Sequence, residues 1–226
     1  MNPIRRLSVA LTLLAASATV SAADTPAVAP TPAASPVAAI AVVKAIAIGS
    51  SAPMRDTRMK NVTDKQITIA SAAGKKGTLV FFICNHCPYV KAWQGRIAAI
   101  GNAAITEGVG VIAINSNDPS AYAEDSFAEM QTRAAEVGYK FPYVMDATSD
   151  VARAFGATHT PEAFLFDANG KLVYHGGVDD NGQDEKSVKH AWLKDAVDAL
   201  AAGKAVPVAE TKALGCGVKF REKTSS

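Results

Sequence analysis

Cys84 and Cys87 stand two residues apart in Cys84-Asn85-His86-Cys87, a spacing that suits a dithiol able to close on itself. With two residues wound into a helical first turn between them, the sulfurs can meet in a disulfide. Thiolate, not thiol, attacks a disulfide. A cysteine at the amino end of a helix faces unpaired N–H groups and the positive end of the helix dipole, and both lower its pKa. The sequence predicts that position for Cys84. His86 adjoins the pair, and a protonated or hydrogen-bonding imidazole would stabilise the thiolate further. A stable thiolate favours the reduced form, so the expected poise of the pair is oxidising.

Other uses of two such cysteines are less well supported. Half of a structural zinc site needs a second ligand pair, and only Cys216 and His159, both far along the chain, are available. A permanently closed disulfide over so short a loop gains little chain entropy. Three cysteines are also few for a disulfide-stapled scaffold. The third, Cys216, lies in Ala213-Leu214-Gly215-Cys216-Gly217 after Pro207. It is a candidate extra thiol that could reach the pair or join a partner chain; the expectation is a free thiol on a flexible tail. The acidic run Asp179–Glu185 lacks the ligand order of a calcium loop and is expected to be solvated. His175 and His190 show no partner in the sequence.

The elements that must position the pair are legible from periodicity. Gly77–Ile83 is a continuous apolar run rich in β-formers and predicts a buried central strand. Pro88 suits a first helical turn, and Tyr89–Gly101 carries Val90, Trp93, Ile97 and Ile100 at helical spacing. Trp93 is expected to pack in the core. Gly108–Asn115 predicts a second buried strand, Ser126–Val137 a helix, Phe141–Met145 a short extended piece and Ser149–Phe155 a short helix. Ala163–Phe166 and Leu172–Tyr174, joined by Asp167-Ala168-Asn169-Gly170, predict a hairpin. Lys189–Ala202 predicts a last amphipathic helix, and Ile67–Ile69 an edge strand. This order is α/β with a mixed sheet.

The ends bound the domain. Arg5 and Arg6 precede the uncharged apolar run Leu7–Val20, which ends in Ser21-Ala22-Ala23. That pattern predicts a signal peptide over residues 1–22. The run is about 14 residues against the roughly 20 of a spanning helix, so stable membrane insertion is not expected. Residues 23–44, with Pro26, Pro30, Pro32 and Pro36, read as a linker. One domain is expected over 45–206, with a tail over 207–226. The formal net charge is +2, and the two arginines of the signal segment account for it. No basic stripe for nucleic acid remains.

Phe82-Ile83-Cys84-Asn85-His86-Cys87-Pro88-Tyr89-Val90-Lys91 resembles the active-site segment of the thioredoxin superfamily. It is similar to the peroxiredoxin-like branch known as alkyl hydroperoxide reductase/thiol-specific antioxidant, or redoxin, domains. Gly49-Ser50-Ser51-Ala52-Pro53 resembles the leader of that branch, and Thr160–Asp167 the segment with its cis-proline, followed by Gly176-Gly177. The likeness covers about Ile48–Ala202. It implies a thioredoxin-like three-layer fold, a mixed central β-sheet flanked by helices, and a cis Thr160–Pro161 bond beside the cysteines that holds a bound substrate's backbone. Carried over, Cys84 is the attacking nucleophile, Cys87 the resolving thiol, and Thr160 and Pro161 shape the substrate groove. His159 and Glu162 are candidate tuning residues, although a solvated or cap-forming glutamate is the expectation for Glu162. One departure stands out. Peroxidatic members carry Thr or Ser three residues before the nucleophile and Pro farther upstream, where this chain has Phe81 and Gly77.

The expected function is therefore dithiol–disulfide exchange with protein thiols in the periplasm or outside the cell, reset by an unknown redox partner. No cofactor beyond the redox-active Cys84–Cys87 disulfide and no metal site is expected. The alternatives are a Cu(I)-handling protein using Cys84, Cys87 and His159, a thiol peroxidase of the same fold, and an interaction module that merely keeps the fold.

Overall fold

The computed structural model of the chain describes residues 44–222. The expected signal segment, and the linker up to residue 43, lie outside the described residues. In chain order the strands and helices are β1 (Met59–Asn61), β2 (Gln66–Ile67), β3 (Gly77–Phe82), α1 (Pro88–Thr106), β4 (Val109–Asn115), α2 (Phe127–Val137), β5 (Tyr143–Met145), α3 (Asp150–Phe155), β6 (His159–Thr160), β7 (Glu162–Asp167), β8 (Leu172–Gly176), α4 (Trp192–Ala201) and β9 (Cys216–Gly217).

Seven strands form one mixed sheet in the order β2-β1-β5-β4-β3-β7-β8, and β6 pairs with β9 apart from it. β3 lies inside the sheet, parallel to β4 and antiparallel to β7. All six of its residues are buried, which is why it reads as a continuous apolar run rather than an alternating one. Successive side chains take opposite faces. Leu79 and Phe81 join Trp93 and Ile97 of α1, Met130 of α2 and Leu193 and Val197 of α4 in one core. Val80 and Phe82 join Val151 and Phe155 of α3, with Phe164 and Phe166, in the other. Phe155 meets Phe82, Phe164 and Phe166 edge-on at 5.2, 5.2 and 6.0 Å, a favoured arrangement of aromatic rings. The result is the expected three-layer α/β fold.

Several boundaries differ from expectation for physical reasons. α1 continues past Gly101 to Thr106, because this glycine is a packing site and not a stop. A Cβ there would lie 2.3 Å from the Phe141 ring. β1 was not foreseen: only Met59 and Asn61 of its three residues are buried, and the strand is fixed by the Tyr143 amide donating to Asn61 Oδ1 at 2.9 Å. Trp93 packs in the core as expected, and its Nε1 donates to Asp179 at 2.7 Å. Asp179 also pairs with Arg96 and is 4% exposed, so the acidic run is anchored at its first residue instead of being solvated throughout. Among the described residues no helix is long and apolar enough to cross a membrane.

The largest difference lies in the segment expected to be a flexible tail. From Ala209 to Arg221 it is stitched to the domain. The Thr211 amide donates to the His175 carbonyl at 3.0 Å and the Val218 amide to the Thr158 carbonyl at 3.0 Å. The Lys219 amide donates to Asn117 Oδ1 at 2.8 Å, and the Arg221 amide to Ser149 Oγ at 3.0 Å. The domain therefore runs on through these residues, and the segment closes over the carboxyl end of β3.

Candidate active site

β3 ends at Phe82 and delivers Ile83 and Cys84 beyond its carboxyl end; α1 begins at Pro88. Its N-cap is Cys87, in an extended conformation at φ −63° and ψ 122°. The helix therefore opens on Cys87, which corrects the expectation that Cys84 would hold that position. Pro at the first helical position fixes that start. The amides of Asn85 and His86 turn away from the helix and donate to Asp125 Oδ1 at 2.6 and 3.3 Å.

Asp125 is a residue of the site that the sequence did not point to. It lies in a short 3-10 turn before α2, is fully buried, and gathers polar groups from three elements. Besides the two amides it meets His86 Nδ1 at 2.6 Å, Asn117 Nδ2 at 2.9 Å and Asn115 Nδ2 at 3.4 Å. Asn85 is held further by Tyr143, whose hydroxyl donates to Asn85 Oδ1 at 3.0 Å. A buried carboxylate survives only with such partners. Asn115 and Asn117, polar residues closing an apolar strand, were the available signal. His86 is thus engaged with Asp125 and stacks on Tyr122 at 3.8 Å between centroids.

Cys84 and Cys87 are 1% and 0% exposed. Both touch Thr160, which precedes the cis Thr160–Pro161 bond. Cys84 Sγ lies 3.2 Å from Thr160 Oγ1 and Cys87 Sγ 3.2 Å from the Thr160 carbonyl oxygen. Cys216 is no weakly placed thiol. Its sulfur lies 2.7 Å from that of Cys87, on a strand that pairs Cys216 with Thr160 and Gly217 with His159.

All three cysteines stand as thiols, and their protons are unequally held. Cys87 is pushed down to about 4, first by the hydrogen bond from the Cys84 thiol and then, against burial, by the Cys216 thiol and the Val90 amide of α1. The Thr160 carbonyl is the neighbour that favours its thiol form, and the several donors outweigh it. Cys84 is pushed up, first as donor to Cys87, then by burial and the negative charge of Asp125. The charge of the reduced pair therefore rests on Cys87, because the helix start, where amides point at an anion, falls there. Cys216 is pushed up to about 11, by burial first and then by its bond to Cys87.

The two candidate tuning residues act elsewhere. Thr160 turns its hydroxyl to Cys84, and His159 bonds Thr158 Oγ1 at 2.8 Å instead of joining the sulfurs. Glu162 is 3% exposed, so it is not solvated. Its Oε2 accepts from the Thr158 and His159 amides at 2.8 and 2.9 Å, and its Oε1 meets His175 at 2.7 Å. It braces the loop that carries Thr160 and supplies the partner His175 lacked in the sequence. Among the described residues, Cys84, His86 and Asp125 bring metal-ligating atoms within 4.8 Å of one another. His86 and Asp125 are already bonded to each other, and His159 is not part of the group. Phe81, where peroxidatic relatives carry a hydroxyl, is fully buried in the core.

The family of alkyl hydroperoxide reductase/thiol-specific antioxidant (AhpC/TSA) proteins matches residues 48–175, more than half of the chain. The chain belongs to that family. A curated relative, the thiol-disulfide oxidoreductase ResA of Geobacillus thermodenitrificans (strain NG80-2), is 29% identical over 127 residues, covering 55% of this chain and 66% of that protein. A solved, uncharacterized conserved protein of Geobacillus kaustophilus is 35% identical with a TM-score of 0.72, over 79% of this chain and 94% of its own. A hypothetical protein of Sinorhizobium meliloti 1021 is 34% identical with a TM-score of 0.73, over 80% and 98%. The match to the curated relative thus falls just short of two thirds of its length. The fold is thioredoxin-like.

Proposed function

We propose that the chain is a thiol–disulfide oxidoreductase that exchanges its Cys84–Cys87 dithiol with protein thiols and disulfides outside the cytosol. The observation that carries this reading is the pair itself: two buried sulfurs at the start of α1, each 3.2 Å from Thr160 of the cis bond, with Cys87 pushed down to about 4. The 29% identity to the thiol-disulfide oxidoreductase of Geobacillus thermodenitrificans supports it. The apolar segment behind Arg5 and Arg6 supports export to the periplasm or medium.

The chemistry balances without a resident cofactor. The Cys84 thiol attacks a substrate disulfide as its proton crosses to the Cys87 thiolate. The departing substrate thiolate takes that proton, leaving Cys84 in a mixed disulfide and Cys87 as thiolate again. Cys87 then attacks Cys84 Sγ, closing Cys84–Cys87 and releasing the second substrate thiolate. The substrate is reduced by two electrons and the pair oxidised by two. A separate protein dithiol or disulfide resets it.

Insulin reduction, oxidation of a reduced protein, peroxide consumption and copper titration are to be measured on wild type and Cys84→Ser. Thiol exchange lost in Cys84→Ser supports the reading. Wild type that exchanges no thiols, whether or not it consumes peroxide or binds copper, refutes it.

A further inference from the structure

The segment Leu214–Val218 lies along Thr160 as an added antiparallel strand. Cys216 pairs with Thr160, and the Val218 amide donates to the Thr158 carbonyl at 3.0 Å. The fit is close. A Cβ on Gly215 would lie 2.2 Å from the Thr160 carbonyl oxygen and 3.2 Å from Pro161 N, so only glycine lets the chain approach there. The strand is anchored on both sides, by Thr211 bonding Tyr174 at 2.8 Å and by Lys219 bonding Asn117. The sulfur it carries is 2.7 Å from Cys87 and, unlike those of the pair, belongs to a residue that is not buried.

We propose that Cys216 is a third redox thiol, carried on a tethered strand that takes the place of a substrate peptide and exchanges with the Cys84–Cys87 disulfide. This rests on the pair being redox-active, as proposed above. The Cys216 thiolate attacks Cys87 Sγ of the closed pair; the Cys87–Cys216 bond forms, the Cys84–Cys87 bond breaks, and Cys84 leaves as thiolate. One disulfide is consumed and one formed. The proton lost by Cys216 to solvent is matched by one taken up at Cys84, so no oxidant is required.

Three observations place the parts for this step. Cys87 is shared by both bonds: it is the partner of Cys84 in the pair, and its sulfur lies 2.7 Å from that of Cys216. The first turn of α1 serves both ends: the Val90 backbone favours the thiolate of Cys87 and the Tyr89 backbone that of Cys216. Burial, the first cause that pushes Cys216 up, persists, but the bond to Cys87 and the charge on it disappear once Cys87 is in a disulfide, while the positive charge of Lys219 still pulls Cys216 down. The exchange moves the disulfide from two buried sulfurs to a bond with one residue nearer solvent, and it frees Cys84 within an oxidised protein.

The test uses Cys84→Ser in the full chain, oxidised with diamide and mapped by mass spectrometry after proteolysis. A tether gives an effective concentration on the order of mM, so at micromolar protein the internal Cys87–Cys216 link should exceed intermolecular links by on the order of a thousandfold. In oxidised wild type, iodoacetamide should label Cys84 in molecules that carry Cys87–Cys216. Cys87→Ser, treated alike, controls for links that form without the central sulfur, and should stay uncrosslinked. A folded Cys84→Ser that keeps two free thiols, or links only between chains, overturns the proposal. So does an oxidised wild type that holds Cys84–Cys87 alone. Because this readout needs no substrate, failure of insulin turnover with a Cys87–Cys216 link present would count against the function and not against the third thiol.

Discussion

Replacing Gly215 by alanine sets a Cβ 2.2 Å from the Thr160 carbonyl oxygen and 2.7 Å from its carbon. Both are backbone atoms of the loop that Glu162 braces, so they cannot swing aside as a side-chain tip would. The strain is relieved by moving β9 outward. Overpacking of this kind costs about 1–3 kcal/mol. Taken at about 2 kcal/mol, and charged to the docked strand alone, it raises the population with β9 displaced by about 30-fold. β9 lies over Cys84 and Cys87, which are 1% and 0% exposed while it is docked. Where opening and closing are fast, reaction of a buried group follows the open population. Alkylation of the reduced pair by iodoacetamide, followed by mass spectrometry with limited reagent, should therefore quicken by about 30-fold in Gly215→Ala. Alkylation unchanged within about twofold, in a variant whose far-ultraviolet circular dichroism matches wild type, would refute the reasoning that β9 gates the pair.

Two further perturbations address the site from its other side. Asp125→Asn keeps the shape but turns one acceptor into a donor facing Asn117 Nδ2 or His86 Nδ1, at 2.9 and 2.6 Å; the loss should be about 3 kcal/mol in urea denaturation, since hydrogen bonds to a buried charge are the strong ones. The same change removes one of the causes that push Cys84 up, after its bond to Cys87 and burial, so the Cys84 thiol should titrate lower, and an unshifted titration would sink the assignment. Cys87, pushed down to about 4 chiefly by the Cys84 thiol, should keep its thiolate ultraviolet absorbance as pH falls until about that value, and Cys84→Ala should lose it at higher pH. The sign for stability follows: the folded pKa lies below the ordinary value of about 8.5, so this contribution to the reduced protein is full above about pH 8.5, shrinks as pH falls, and is gone below about 4. A reduced protein no less stable at pH 5 than at pH 8, with a Cys87 that titrates near 8.5, would contradict it.

What was legible in the sequence was local or periodic. β3, β4 and the β7–β8 hairpin announce themselves by apolar runs and turn residues, and the Cys84–Cys87 spacing lies within four consecutive residues. The cis Thr160–Pro161 bond came from resemblance, not from any pattern in the chain. The helix start was half legible: Pro88 suited a first helical turn, yet the expected turn began at Cys84. The decision was made by Asp125, which draws off the Asn85 amide across a separation of 40 residues. Cys216 was illegible for the same reason on a larger scale. Its approach to Cys87 spans 129 residues and depends on a two-residue strand too short to show periodicity. The segment after Pro207 was expected to be a flexible tail, where Gly215 in fact serves close approach.

The burial of the pair now constrains any account of turnover. A nucleophile must reach its target, and neither Cys84 nor Cys87 presents a sulfur to solvent while β9 is docked. Two routes satisfy that requirement. In one, β9 leaves Thr160 and a substrate strand takes its place, so activity rises when docking weakens. In the other, Cys216 carries the disulfide outward and β9 must stay docked, so activity falls when docking weakens. Gly215→Ala separates them, since it acts on the strand without touching a sulfur. Faster insulin reduction in that variant assigns β9 the role of a cover; slower reduction, with alkylation of the pair nevertheless accelerated, assigns Cys216 the role of a relay.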